Sequence, residues 1–323
     1  MSKLIYNING SFRDTQPRWL MNQQGLDTSV SYYEGKDASL KYEGYRNKFL
    51  KWDETEGKDE EIYYLELRPN DKTTNILPEC IKRLSNLEAL VLPIWFLPNL
   101  TPEQLPSSVK VLIIGTPLSD KSQARGLNKI DWVKDVQFPN IEQLELRGGG
   151  IYADMFPNII YLNLYSNFNL KYEEICKLSL LKVLCVSNID NVDILNQFNY
   201  SQIKRLTILG WEIEDLSKIQ GFDKVEIIEL LGLKKLKSLY GLEKLSSLQR
   251  VDVFNCNQLL NLGALYKSKT IEYFKLIECG KKWIDTLEQN KLGFEQKKFK
   301  VYCDNWRAFD AYLNEAETKW MYL

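Results

Sequence analysis

The sequence predicts an α/β solenoid: a curved parallel β-sheet on a concave side, an irregular or helical convex side, and a cap at each end. The first observation behind this is the spacing of apolar residues between Leu236 and Leu265. Leucines stand at 236, 239, 242, 245 and 248, the spacing tightens to Val251, Val253 and Cys256, and it then reverts to Leu259, Leu262 and Leu265. Steps of three broken by one step of two match neither a helix of period 3.6 nor a strand of period 2 over their whole length. They match a coil in which a short strand alternates with tight turns, each side sending residues inward. The second observation is recurrence. The position held by Val251 returns at Leu65, Leu90, Leu112, Leu144, Leu162, Leu184, Leu206, Ile228 and Phe274. The intervals along that series are 25, 22, 32, 18, 22, 22, 22, 23 and 23 residues, and six of the nine are 22 or 23.

Read as L-x-x-L-x-L-x-x-N/C, the residues Leu248, Val251, Val253 and Cys256 resemble a leucine-rich repeat, and the flanking steps of three are similar to the short bacterial internalin-type variety. The resemblance covers about residues 62 to 280. It implies a scaffold for protein recognition, in which an asparagine in each turn bonds backbone groups and stacked copies form a ladder. Here that position reads Asn70, Trp95, Pro117, Gly149, Asn167, Ile189, Trp211, Leu233, Cys256 and Cys279, so only four of ten carry Asn or Cys. The ladder is expected to be broken, with apolar residues filling the site in the middle repeats.

Residues 1–60 lack the repeat and read as an N-terminal cap. Within them SVSYYEG and SLKYEGY suggest two strands joined near Gly35–Asp37, a β-hairpin. A cap has a physical task, since the first coil leaves apolar edge atoms and unpaired strand groups open. The solenoid of about ten repeats spans 61–303 and begins with Ile62-Tyr-Tyr-Leu65-Glu-Leu67-Arg-Pro-Asn70. Pro98, Pro102 and Pro106 make the connection after the second repeat irregular. An insertion near 116–137 accounts for the 32-residue interval and must leave the coil as a loop or short helix. Gly148-Gly149-Gly150 follows; with no G-K-[ST] after it, the triplet reads as a turn and not as a phosphate cradle. Phe299–Cys303 suggests a last strand, and 304–323 a C-terminal capping helix with Trp306, Leu313 and Ala316 on one side.

Composition narrows the function. The chain has 323 residues with 42 Lys and Arg against 43 Asp and Glu, so its net charge of −1 gives no global attraction to nucleic acid. Charge is uneven locally: residues 53–61 hold six acids against one lysine, and 267–300 nine lysines against five acids. Such runs usually serve as solvated faces. The start, MSKLIY, lacks the apolar core of a signal peptide, and no 18-residue apolar run offers a membrane span. Six cysteines without a C-x-x-C pair favour a reducing compartment, and the expectation is a cytoplasmic protein.

Histidine is absent, which removes Ser-His-Asp and Cys-His catalysis and histidine zinc sites. Cys185 is the one cysteine that the frame places on the open strand face, where a packed or exposed thiol is the plain reading. The acidic run 53–61 misses the EF-hand frame, because its glycine falls at the fifth place. No enzyme signature, cofactor site, metal site or small-molecule substrate is evident.

A surface remains. Residues flanking the inward pair of each strand point to the concave side, and ten strands about 4.8 Å apart make a face on the order of 45 Å long. The partner-binding residues expected there are Tyr161, Asn163, Tyr165, Arg205, Glu229, Arg250, Asp252, Phe254, Tyr273 and Lys275. Aromatic and Arg anchors of this kind suit a protein partner. The function expected is a non-catalytic interaction module. One version is a bacterial immunity or inhibitor protein that neutralises a toxin; the alternatives are an effector delivered into another cell to bind a host protein, or an enzyme acting through 1–60 or the insertion.

Overall fold

The computed structural model describes residues 29–33, 39–43, 48–51, 64–67, 75–77, 79–115, 130–165, 172–187, 199–289 and 300–303. The expected capping helix, the ladder positions Asn70, Pro117, Asn167 and Ile189, and residues 116–129 of the insertion lie outside them. The chain forms two compact units, Met1–Leu181 and Lys182–Leu323.

In the first unit the strands are β1 (Ser29–Tyr33), β2 (Ser39–Glu43), β3 (Lys48–Lys51), β4 (Tyr64–Leu67), β5 (Ala89–Pro93), β6 (Val111–Gly115), β7 (Gln143–Leu146) and β8 (Tyr161–Tyr165). β4 to β8 pair in parallel, each with the next. Leu65, Leu90, Leu112, Leu144 and Leu162 stand opposite one another, so the register holds across the 32- and 18-residue intervals. The hairpin β1–β2 is antiparallel as SVSYYEG and SLKYEGY suggested, and β3, which the sequence pattern did not disclose, extends it. β1 also pairs in parallel with β4, Val30 opposite Leu65, so the free edge of the first repeat is taken up by a strand from outside the repeat.

The second unit holds β9 (Val183–Ser187), β10 (Arg205–Leu209), β11 (Ile227–Leu231), β12 (Arg250–Phe254), β13 (Tyr273–Ile277) and β14 (Lys300–Cys303), again all parallel neighbours. Leu184, Leu206, Ile228, Val251, Phe274 and Val301 share one register row. With strands this regular and a 22- or 23-residue period, the coil is a leucine-rich-repeat solenoid.

Each strand from β5 to β13 sends two apolar residues into the core, as in Leu206 and Ile208 or Val251 and Val253, all buried. Between strands the steps of three become single tight turns. Leu236, Leu242, Leu245 and Leu248 each donate their amide to the carbonyl three residues back, which points every third side chain inward. Leu233, Leu236, Leu239, Leu242, Leu245 and Leu248 are all buried as a result. Coils are stitched at fixed places. Within each unit the carbonyl two residues before the frame position accepts two amides of the next coil, as at Glu88, Lys110 and Glu142 or Lys182 and Lys204; that of Glu226 takes Gln249 N at 2.8 Å and Arg250 N at 3.0 Å. On the opposite side Lys237 accepts from Leu260 and Asn261 in the same manner.

The ladder position departs from expectation in one coil. Trp211 is buried, yet it is no mere apolar filler: its indole N–H donates to Val186 O at 3.1 Å. Cys279 Sγ stands 3.6 Å from the equivalent carbonyl of the preceding coil, Val253 O, and Cys256 Sγ 3.9 Å from Leu230 O. Cys256 N–H in turn donates to Cys279 Sγ at 3.4 Å. A tryptophan and two cysteines therefore cover backbone acceptors that asparagine would cover, and among the described ladder positions of the second unit only Leu233 is a plain hydrocarbon plug.

Candidate protein-binding face

The face opposite the core is built by residues one before, one after and three after each frame position. In the second unit these form three rows. The row nearest the strand ends is Ser187, Leu209, Leu231, Phe254 and Ile277; the middle row is Cys185, Thr207, Glu229, Asp252 and Lys275; the third is Val183, Arg205, Ile227, Arg250 and Tyr273. Parallel pairing in exact frame register puts the members of each row side by side, about 4.8 Å apart.

A charge network occupies the centre. Arg205 meets Glu229 through two bonds, Nη2 to Oε1 and Nε to Oε2, the latter 3.1 Å, and Thr207 Oγ1 donates to Oε2 at 2.6 Å. Arg250 grips Asp252 on its own strand, Nε to Oδ1 at 2.9 Å and Nη2 to Oδ2 at 2.8 Å. This hydrogen bonding, with further support from the Glu229 carboxylate, outweighs burial and raises the pKa of Arg250 above its ordinary value. Lys275 Nζ lies 4.9 Å from the centre of the Phe254 ring, a cation–π contact.

The geometry corrects part of the sequence expectation. Arg205, Glu229 and Asp252 were expected to touch a partner, but they are 6%, 2% and 1% exposed. Two acids and two guanidiniums in adjoining rows cover one another, and the enclosed carboxylates have their acceptors filled by Arg205, Thr207 and Arg250. Arg250, Phe254, Tyr273 and Lys275 stay half-buried and reach solvent, together with Leu209 and Ile277. Leu209 and Ile277 were not among the residues expected to bind; the signal for them is that, from β10 to β13, they share one apolar row with Leu231 and Phe254.

In the first unit Tyr161 and Asn163 lie half-buried on β8, and Tyr165 ends that strand. The Asn163 side-chain oxygen is buried with no hydrogen-bond partner. Beside them on β7, Arg147 Nη2 pairs with Glu145 Oε1 at 3.1 Å, and the Arg147 side chain runs over Gly115, where a Cβ would come within 2.9 Å of its Cδ. On β5 and β6 the face is closed: Ala89, Val111 and Ile113 form a buried cluster with Val91 packed against it.

In the Gly148–Gly150 turn both backbone groups of Gly150 are in use. Asp131 Oδ1 accepts Gly150 N–H at 3.2 Å, and Trp132 Nε1–H donates to Gly150 O at 2.9 Å. A carboxylate of the chain itself thus sits where a phosphate would need to be. Asp131 Oδ2 also accepts the Tyr152 hydroxyl, and this bond, followed by burial, pushes the phenol pKa up to about 12. Trp132 packs on Phe138 and Phe156, ring centres 5.6 and 5.0 Å away, anchoring the end of the insertion to the coil. No helix among the described residues is long and apolar enough to cross a membrane.

No family model matches the chain, and no curated protein matches it. Among solved structures it is similar to a leucine-rich-repeat protein of Leptospira interrogans, at 13% identity over 69% of this chain and 74% of that one, with a TM-score of 0.30. It is also similar to a leucine-rich-repeat protein from Bacteroides ovatus, at 11% identity over 85% and 92% of the two chains, with a TM-score of 0.17.

Proposed function

We propose that the chain is a non-catalytic interaction module that binds a protein through the open sheet face of its second unit. The observation that carries this is the set of half-exposed anchors Phe254, Tyr273, Arg250 and Lys275, seated on a buried and internally satisfied charge network. Large aromatic and guanidinium groups with few free rotamers lose little entropy on docking, which is what strong contact residues need. Arg205, Glu229, Thr207 and Asp252 act here as positioning residues that fix the platform.

The test is affinity purification of the intact chain from its native cells beside a Phe254→Ala/Tyr273→Ala variant. The expected result is a stoichiometric protein held by the wild type and lost by the variant, with both forms equally folded by circular dichroism. Retention of that protein by the variant would contradict the reading. The partner's identity then divides the finer versions: a toxin whose activity falls on binding makes the chain an inhibitor, and a protein of another cell makes it a delivered effector.

A further inference from the structure

On β10 to β13 the half-exposed and buried apolar residues Leu209, Leu231, Phe254 and Ile277 form a continuous row across the strands, while the charged residues fall in the two rows beside it. Resting on the reading above, we propose that this stripe receives an amphipathic α-helix of a protein partner, lying across the strands with acidic residues flanking its apolar edge.

Spacing favours a helix. From Leu209 to Ile277 the row makes three strand steps, roughly 14 Å at about 4.8 Å each. Three helical turns rise roughly 16 Å, so apolar residues at i, i+3 or i+4, i+7 and i+11 keep step with the four successive strands. An extended peptide presents same-side residues about 6.7 Å apart, and three such steps overrun the row by roughly 6 Å.

Charge favours an acidic partner. The two carboxylates of this patch are enclosed, Glu229 by Arg205 and Thr207, and Asp252 by Arg250. The cations are the part that reaches solvent: the Arg250 side chain is 21% exposed, and Lys275 is half-buried over the Phe254 ring. Glu278 lies past the strand, in the following turn. A helix seated on the apolar row therefore meets positive charge along its side, where Asp and Glu are favoured and Lys and Arg repelled.

The probe is a displayed library of helical peptides about eighteen residues long, long enough for the three turns needed, selected against the intact chain. The expected result is enrichment of an i, i+3/i+4, i+7, i+11 apolar stripe flanked by Asp and Glu. Selected peptides should bind Lys275→Gln at least tenfold more weakly and Phe254→Ala weaker still. Lys275→Glu should instead enrich Lys and Arg flanks, with thermal unfolding confirming that each variant is folded. Enrichment of basic or uncharged flanks, of extended sequences, or of nothing would overturn the inference. So would a short single-stranded oligonucleotide that binds the intact chain and competes at Phe254, since it would assign the stripe to nucleic acid. If the native partner depends on Phe254 but no acidic helix is selected, this inference alone falls; a partner indifferent to Phe254 removes the proposed function itself.

Discussion

Gly241 adopts φ 109°, and a Cβ placed there would lie 2.4 Å from both the carbonyl carbon and oxygen of Leu216 and 2.6 Å from Ser217 N. These are backbone atoms of the neighbouring coil, so the clash cannot be relieved by swinging a side chain aside. Gly232 also has positive φ, 62°, but nothing lies within 4 Å of its absent Cβ. The pair separates two kinds of glycine. Gly232→Ala should cost only the left-handed penalty of about 1–2 kcal/mol, and Gly241→Ala that penalty plus a backbone displacement, some 3 kcal/mol or more; urea unfolding midpoints of the two variants measure the difference. The buried Arg205–Glu229 pair makes a second residue-scale test. Glu229→Leu alone strands a guanidinium and should destabilise by about 3–5 kcal/mol, while Arg205→Met/Glu229→Leu should return to within about 2 kcal/mol of the wild type. Equal losses in single and double variants would show that the charges themselves hold the face together.

The repeating element is a strand followed by a turn whose fourth residue past the frame position is left-handed. Gly210, Gly232, Asn255 and Glu278 occupy it with φ of 69°, 62°, 52° and 53°, and the amides of the first three each donate to the next coil's strand-end carbonyl at 2.9 Å. Glycine and asparagine are the residues that tolerate this conformation, so the turn was readable in three coils and hidden in the one that carries glutamate. The irregular coil around the insertion is held by the Asp131–Tyr152 bond instead. A folded-state phenol pKa of about 12, above the ordinary 10, means that the folded chain keeps a proton the unfolded chain has released between those values. The stabilisation is complete below pH 10 and is lost as pH rises towards about 12. Tyr152→Phe should therefore lose stability at neutral pH and show a shallower fall than the wild type over that alkaline window, as followed by circular dichroism. Identical slopes would place the titrating group elsewhere.

At the scale of the molecule, the fold was legible because leucine-rich coils bury one fixed set of positions, and the frame residues fell into register within each unit, Leu65 to Leu162 in the first and Leu184 to Phe274 in the second. The irregular intervals did not blur this, since turns absorb length while strand pairing fixes phase. The parallel pairing of β1 with β4 was not legible: it joins segments some thirty residues apart and leaves no local pattern. The candidate face was half legible. Alternation placed Arg205, Glu229 and Asp252 on the correct side of the sheet, but side alone does not determine exposure, and only the contacts among neighbouring rows show that these charges are enclosed. The proposed function therefore rests on Phe254, Tyr273, Arg250 and Lys275. The most direct measurement is hydroxyl-radical footprinting of the intact chain with and without its captured partner. Protection of Phe254 and Tyr273, with Tyr240 and Leu260 (48% and 42% exposed) unchanged, is the expected result. Protection at Tyr240 and Leu260 with Phe254 and Tyr273 still reactive would contradict a binding site on this sheet face.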